Sequence, residues 1–404
     1  MIKKRRNSYL LYAWIAAALL CVLFYRVYGP KGIEKIAIIS GAGLEQGENA
    51  PVKLTVQLIK PNSAETSEAE GVVFSGEGET VAQAAEQIVL QVGSVLYWSH
   101  CSVLILQEDF AKEDVVPHLD FFFRSLDYRN MTPIFVSKDS PGDVLNAEVL
   151  FDSISGFGLE TLLKVQETDN NSVYTDMYEF MSHYYDVNAS GLVAGLTLEE
   201  EKQSQSGDSG SGGGEDSKMA GLSDCAVFCR GKLQGYIGTD ALMGFHWLNN
   251  GTKARSITLE KVILGPGQDC GRVSVSLFGV RTKITPEWQD GQWSLRLKIT
   301  GDAELVSAEN GVDFATKDPR EISRMMEQLN DILAQKIQEE VDAVWQKMNE
   351  YDCDFCGVGK RFYAKYGKRW PGEPNGTPRV VLEEVQPRCD VRLTIVTESL
   401  NKRF

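Results

Sequence analysis

A chain of 404 residues with 43% hydrophobic and 24% charged content has the material for two or three domains with real cores. Its formal net charge of −15 excludes a general nucleic-acid binder, which needs a net basic surface. Only four histidines are present, none near a candidate nucleophile, so no catalytic constellation can be assembled from them.

The N-terminus reads as a membrane address. Lys3, Lys4, Arg5 and Arg6 precede an apolar run from Tyr9 to Tyr25. At about 17 residues the run is at the short end for a spanning helix, and its basic flank should stay cytoplasmic and send the rest outward. Residues 1–28 are therefore read as a signal anchor or transmembrane segment. Two alternatives stay open. Ala16–Ala18 offer small residues for signal-peptide cleavage, although the apolar run continues past them to Phe24. Cys21 invites lipidation, but Leu20 before it is not the small residue such a site wants.

Residues 29–198 form the first predicted domain. A strand over Lys35–Ser40 leads into Gly41-Ala42-Gly43, and Val52–Leu58 alternates apolar and polar as a half-buried strand does. The Gly/Glu-rich turn between them predicts an antiparallel hairpin. Neither Gly41/Gly43 nor Gly76/Gly78 completes a nucleotide-binding glycine motif. Thr80–Gln83 starts a helix whose buried face runs through Val81, Ala84, Ala85, Ile88, Val89 and Val92. A strand at Cys101–Leu106, a helix near Val115–Leu126, a strand at Pro133–Ser137 and a short helix from Pro141 follow. That order argues for an α/β layer with neighbouring parallel strands. His100, just before a strand, is expected to make a structural hydrogen bond rather than to act as a ligand or base. Helices are predicted around Leu159–Glu167 and Tyr174–Tyr185, then a strand at Gly191–Leu196.

Residues 199–219 are Glu, Ser, Gly, Gln and Asp with almost no large apolar residue, which predicts a flexible linker or loop. Beyond it, residues 220–404 form the second predicted domain. Ala226–Phe228 and Leu233–Ile237 flank an Arg230-Gly231-Lys232 turn. Thr239 opens a helix. Ile257–Leu264, Val273–Ile284 and Trp293–Ile299 are strands, with Asp290-Gly291 turning between the last two and Asp302–Ser307 extending the same sheet. Strands near Val380–Glu384 and Val391–Thr397 close the chain. Between these lies a long helix. Asp318 is its N-cap, Pro319 its first residue and Glu321 a capping-box acid. Ile322, Met325, Met326, Leu329, Ile332, Leu333, Ile337, Val341, Val344, Trp345 and Met348 recur on one face. It should run roughly 45 Å across an antiparallel sheet. The face carrying Glu327, Asp331, Gln335, Lys336, Glu339, Glu340 and Lys347 should be solvated. The fold class is thus α+β or mixed α/β: an N-terminal α/β region and a C-terminal antiparallel sheet crossed by one helix, behind an N-terminal anchor.

After the helix, Asp354-Phe355-Cys356-Gly357-Val358-Gly359 stops the chain with glycines, and Lys360–Trp370 interleaves basic residues with aromatics. That composition suits an anionic surface, or a short helix whose aromatics pack while its basic side chains reach water. Of eight cysteines, Cys225/Cys229 and Cys353/Cys356 superficially resemble halves of a zinc site. Cys225 and Cys229 lie four apart on a strand, roughly 13 Å, too far to share one ion. Ordinary buried or free thiols are expected, with one or two disulfides as the alternative, and no metal or cofactor.

Several stretches in this order resemble the Ger(x)C family, the C subunit of spore nutrient germinant receptors in endospore-forming bacteria. They are Lys35–Gly41 with Val52–Leu58, Ser99–Ile105, Leu119–Arg129, Leu222–Phe228 with Gly235-Tyr236, and Asp354–Trp370. The resemblance implies a non-enzymatic subunit on the outer face of the spore inner membrane. Its partners would be integral-membrane receptor subunits and the membrane itself, with the small nutrient germinant reached only indirectly. Arg124, Arg129, Asp354, Gly357, Gly359 and Trp370 are the partner-contact candidates, because they lie in the family's motifs and combine charge with aromatic surface. The alternative is an extracytoplasmic protein that captures a small molecule itself, in a cleft between the halves joined near residue 199.

Overall fold

The computed structural model describes residues 14–20, 36–60, 69–149, 152–186, 190–200, 218–252, 254–265, 267–312, 317–371 and 382–396. Residues 14–20 are helical and exposed. The rest of the expected anchor lies outside the described residues. Among the described residues no helix is long and apolar enough to cross a membrane.

Two sheets organise the chain. The first has nine strands: β1 (Ile36–Glu45), β2 (Val52–Lys60), β3 (Glu70–Gly78), β4 (Val95–Tyr97), β5 (Val103–Gln107), β6 (Ile134–Ser137), β7 (Ser190–Glu200), β8 (Lys218–Cys229) and β9 (Lys232–Ile237). Their order is β3-β2-β1-β5-β6-β7-β8-β9, with β4 on β1. The middle is parallel, as the alternation of helices and strands implies: β1 with β5, β5 with β6, β6 with β7. Central strands read as continuous apolar runs because both faces are covered. Val103, Leu104, Ile105 and Leu106 are all fully buried. Helices α1 (Val81–Val92), α2 (Glu108–Ala111), α3 (Val116–Arg124), α4 (Pro141–Asn146), α5 (Ser155–Thr168) and α6 (Met177–Tyr185) supply that cover.

Gly41 and Gly43 are not in a turn. They continue β1, in register with Gln57 and Thr55. A Cβ at Gly41 would lie 2.6 Å from Leu145, and one at Gly43 would collide with Pro141. The glycines let α4 lie directly on the strand.

The second sheet has four strands, in the order β10 (Arg255–Leu264), β11 (Gln268–Gln289), β12 (Gln292–Ala308), β13 (Val385–Val396). The expectation of a fully antiparallel sheet is corrected here. β10–β11 and β11–β12 are antiparallel, but β13 joins β12 in parallel. The long helix returns the chain to the starting end of β12, so the last strand enters in the same direction. The strand expected near Val380–Glu384 is also corrected: Leu382 and Glu383 are helical, and one strand begins at Val385.

The stretch after β7 does not separate the sheets. β7 and β8 pair antiparallel from Ser190↔Cys229 to Glu200↔Lys218, so it joins two strands of one sheet. The first sheet thus runs on to Ile237, after which α7 (Thr239–Leu248) leads into the second.

Helix α8 (Pro319–Glu350) has 32 residues and begins where expected, with Asp318 Oδ1 accepting from Arg320 N–H at 2.9 Å. Glu321 pairs with Lys317 at 2.6 Å. Met325, Leu329, Leu333, Ile337, Val341, Val344, Trp345 and Met348 are buried. One supposedly solvated residue is not. Glu340 is fully buried, accepting from Trp247 Nε1 at 2.8 Å and from Arg255 at 2.8 and 2.9 Å. A buried carboxylate needs such partners to offset the water it gives up.

Candidate functional site

The closing segment is built around Asp354. Gly357 takes φ 67°, a left-handed turn that costs glycine little. This starts α9 (Val358–Tyr366) directly over the Asp354 carboxylate. Oδ1 accepts from Val358 N–H at 2.8 Å and Oδ2 from Gly359 N–H at 2.7 Å. A Cβ on Gly359 would come within 3.3 Å of that carboxylate. Burial pushes the Asp354 carboxyl above the usual range, while the two N–H donors pull it back down. Phe362 of α9 faces inward, while Tyr363 points to solvent. Phe362 stacks on Trp370 at 4.4 Å, and Trp293 of β12 meets Trp370 edge-on at 5.0 Å. Lys365 Nζ and Tyr366 Oη both donate to the Pro286 carbonyl, at 2.6 and 3.3 Å.

Four of the candidates therefore have structural work. Asp354 and Trp370 are buried, and Gly357 and Gly359 shape the cap. What this module shows to solvent is Lys360, Tyr363, Lys365, Lys368 and Arg369.

Arg124 and Arg129 are placed differently, both at the surface. Arg124 ends α3, its Nε bonded to Asp120 at 2.6 and 2.8 Å. Beneath them Trp98, Phe122 and Tyr128 pack together, with Trp98 edge-on to Phe122 at 5.4 Å. Around them the surface is apolar: Leu126 is fully exposed, Met131 and Tyr185 are each 74% exposed, and Phe123 and Tyr178 reach solvent. The Tyr174 hydroxyl donates to the Met131 carbonyl at 3.1 Å and Tyr178 N–H to the Asn130 carbonyl at 2.8 Å, tying α6 and its lead-in to this loop. Leu126, Met131, Tyr178 and Tyr185 were not singled out from the sequence. A signal was present: Phe121-Phe122-Phe123 on a nine-residue helix cannot all face one side at 100° per residue.

An open cleft of ~390 Å³ lies where the first sheet meets the closing segment, lined by Asp186, Ser190, Asn249, Asp354, Lys360 and Arg361 among others. Lys360 pairs with Asp186 at 2.6 Å. Arg361 donates to the Leu248 carbonyl at 3.0 Å and to Asn249 Oδ1 at 3.2 Å. His100 is exposed, with its ring 5.9 Å from that of Tyr97. Among the described residues no three His, Cys, Asp or Glu side chains converge as a metal site would require. Burial pushes the Cys101 and Cys225 thiols up to about 12 and the Cys356 thiol well above its ordinary value, so these three are protonated and unreactive.

Both halves of the chain match known germination proteins. Residues 30–197 match the family described as spore germination protein N-terminal domain, and residues 223–396 match spore germination B3/GerAC like, C-terminal. The chain belongs to the GerAC family of spore germination proteins. It is 21% identical over 357 residues to spore germination protein KC of Bacillus subtilis (strain 168), covering 85% of this chain and 84% of that one. The crystal structure of the GerBC protein is similar with a TM-score of 0.48 at 16% identity, covering 88% of this chain and 97% of that chain. The two matched regions leave between them the residues that join β7 to β8, although the strands on either side share one sheet.

Proposed function

We propose that this GerAC-family chain is the non-enzymatic C subunit of a nutrient germinant receptor, displayed on the outer face of the spore inner membrane and tethered there through residues 1–28. The match of both halves, in order, to the germination family is the observation that carries this reading. The subunit works by contact. Its partner is an integral-membrane receptor subunit, and the surface around Phe123, Arg124, Leu126, Arg129 and Met131 is where we place the contact. Exposed apolar side chains set beside arginine are what interface centres are made of, and a monomer rarely leaves them uncovered. In the host, deleting the gene should abolish germination toward at least one nutrient, and Leu126→Asp should reproduce that loss in a folded protein. A folded Leu126→Asp protein that assembles and germinates normally would remove this surface from the interface.

A second reading has one observation in its favour. The ~390 Å³ cleft brings Asp186, Lys360 and Arg361 to one opening between the two parts of the chain, and its size suits a small molecule. In this reading the chain captures a small charged nutrient itself. Thermal-shift titration with single amino acids, repeated on Arg361→Ala, would separate the readings: only direct capture gives a shift that the substitution removes.

A further inference from the structure

Cys229 ends β8 and lies opposite Ser190 in the β7–β8 register. The same Ser190 donates its hydroxyl to the Asp354 carbonyl at 2.9 Å. The residue before Asp354 is Cys353, fully buried, whose Sγ reaches the Phe228 carbonyl at 3.7 Å. Cys229 follows Phe228 directly, so the two cysteines are brought together where the end of β8 meets the turn after α8. They are 124 positions apart in sequence and come from different parts of the fold.

We propose that Cys229 and Cys353 form a disulfide-competent pair, a redox site that locks the closing segment to the edge region of the first sheet. The chemistry of the two thiols is unequal. Cys229 is partly exposed, and the neighbouring Cys353 thiol, aided by the Arg230 charge, holds its thiol below the ordinary value. Among the described cysteines no other competes: Cys101, Cys225, Cys270, Cys353, Cys356 and Cys389 all have thiols pushed up. Cys229 is thus the attacking thiolate. The oxidant is a small-molecule or protein disulfide. The Cys229 sulfur attacks one of its sulfurs, forming a mixed disulfide and expelling the first thiolate. Cys353 then attacks Cys229, giving up its proton to the second departing thiolate. Two protein thiols become one disulfide, and one external disulfide becomes two thiols.

Closure in the cell rests on the extracytoplasmic placement proposed above, because oxidising compartments are where such bonds persist. The chemical test does not. The purified full-length chain is equilibrated with oxidised and reduced glutathione in graded ratios, alkylated, unfolded and peptide-mapped. One Cys229–Cys353 cross-link should appear, with two fewer alkylatable thiols, and dithiothreitol should reverse it. Cys353→Ser should instead trap glutathione on Cys229, since the resolving thiol is gone. Free Cys229 and Cys353 at every ratio, or a wild-type chain that stops at glutathione on Cys229, would overturn the proposal. A pair that closes in the titration but is reduced in isolated spores would support the site and count against the placement.

Discussion

Arg255 at the start of β10 and Glu340 in the middle of α8 form a two-pronged ion pair, Nη1 to Oε2 at 2.8 Å and Nη2 to Oε1 at 2.9 Å. Glu340 is fully buried and also accepts from Trp247 Nε1 at 2.8 Å. Three elements, α7, α8 and β10, are thus pinned at one carboxylate. Arg255→Ala leaves that carboxylate buried and under-partnered, and should cost about 3–5 kcal/mol in urea unfolding. Arg255→Met with Glu340→Leu removes both charges and should recover most of the loss. A double variant no more stable than Arg255→Ala would mean the pair is not what holds the site together.

The same junction predicts an acid response. His246, on α7, is buried, and burial first, then the Arg255 charge, lowers its imidazole from 6.5 to about 4. The unfolded chain binds this proton at a pH where the folded chain does not, so stability rises with pH across the window from about 4 to about 6.5. Acidification through it should remove up to about 3 kcal/mol, at roughly 1.4 kcal/mol per unit. Urea midpoints at pH 7 and pH 4.5 should therefore differ less in His246→Gln than in the wild type. Equal differences would assign the acid sensitivity elsewhere.

Asp354 caps α9 through two backbone donors. Asp354→Ala should cost about 1–2 kcal/mol. Hydrogen exchange should quicken first at residues 358–362, before the rest of the second sheet is affected. Uniform acceleration across the chain would mean the segment does not open as a unit.

Arg124→Ala and Trp370→Ala should part company. Arg124 is exposed and its pair with Asp120 is an i,i+4 surface contact, worth about 0.3–0.5 kcal/mol. Trp370 is buried against Phe362 and Trp293, and its truncation should cost about 3–5 kcal/mol. If Arg124→Ala weakens receptor assembly at unchanged thermal stability, the surface reading holds. If only Trp370→Ala does so, the defect is one of folding.

Much of this is legible in the residues themselves. The period of α8, the Asp318 cap and the parallel centre of the first sheet all follow from local rules that nothing distant opposes. The rest is decided by position in space. Glu340 reads as solvated by residue type, yet it falls three residues after Ile337 and four before Val344, on the edge of the buried stripe. Trp370 is aromatic and sits among cations, and only the fold brings it against Trp293, 77 positions earlier. The direction of β13 is not written in its own residues, because it depends on where α8 delivers the chain. The polar run after Glu199 marks a break in composition, and the register across it joins two strands.

Tyr351, just past the end of α8, uses one hydroxyl twice: it accepts from Tyr236 N–H at 3.2 Å and donates to the Tyr236 carbonyl at 2.8 Å. Tyr236 lies on β9, the last strand of the nine-stranded order. The phenol therefore occupies the donor and acceptor that a neighbouring molecule's strand would seek. Copies crowded together find this margin already blocked, and Tyr351→Phe should turn a well-behaved protein into one that self-associates through its open flank.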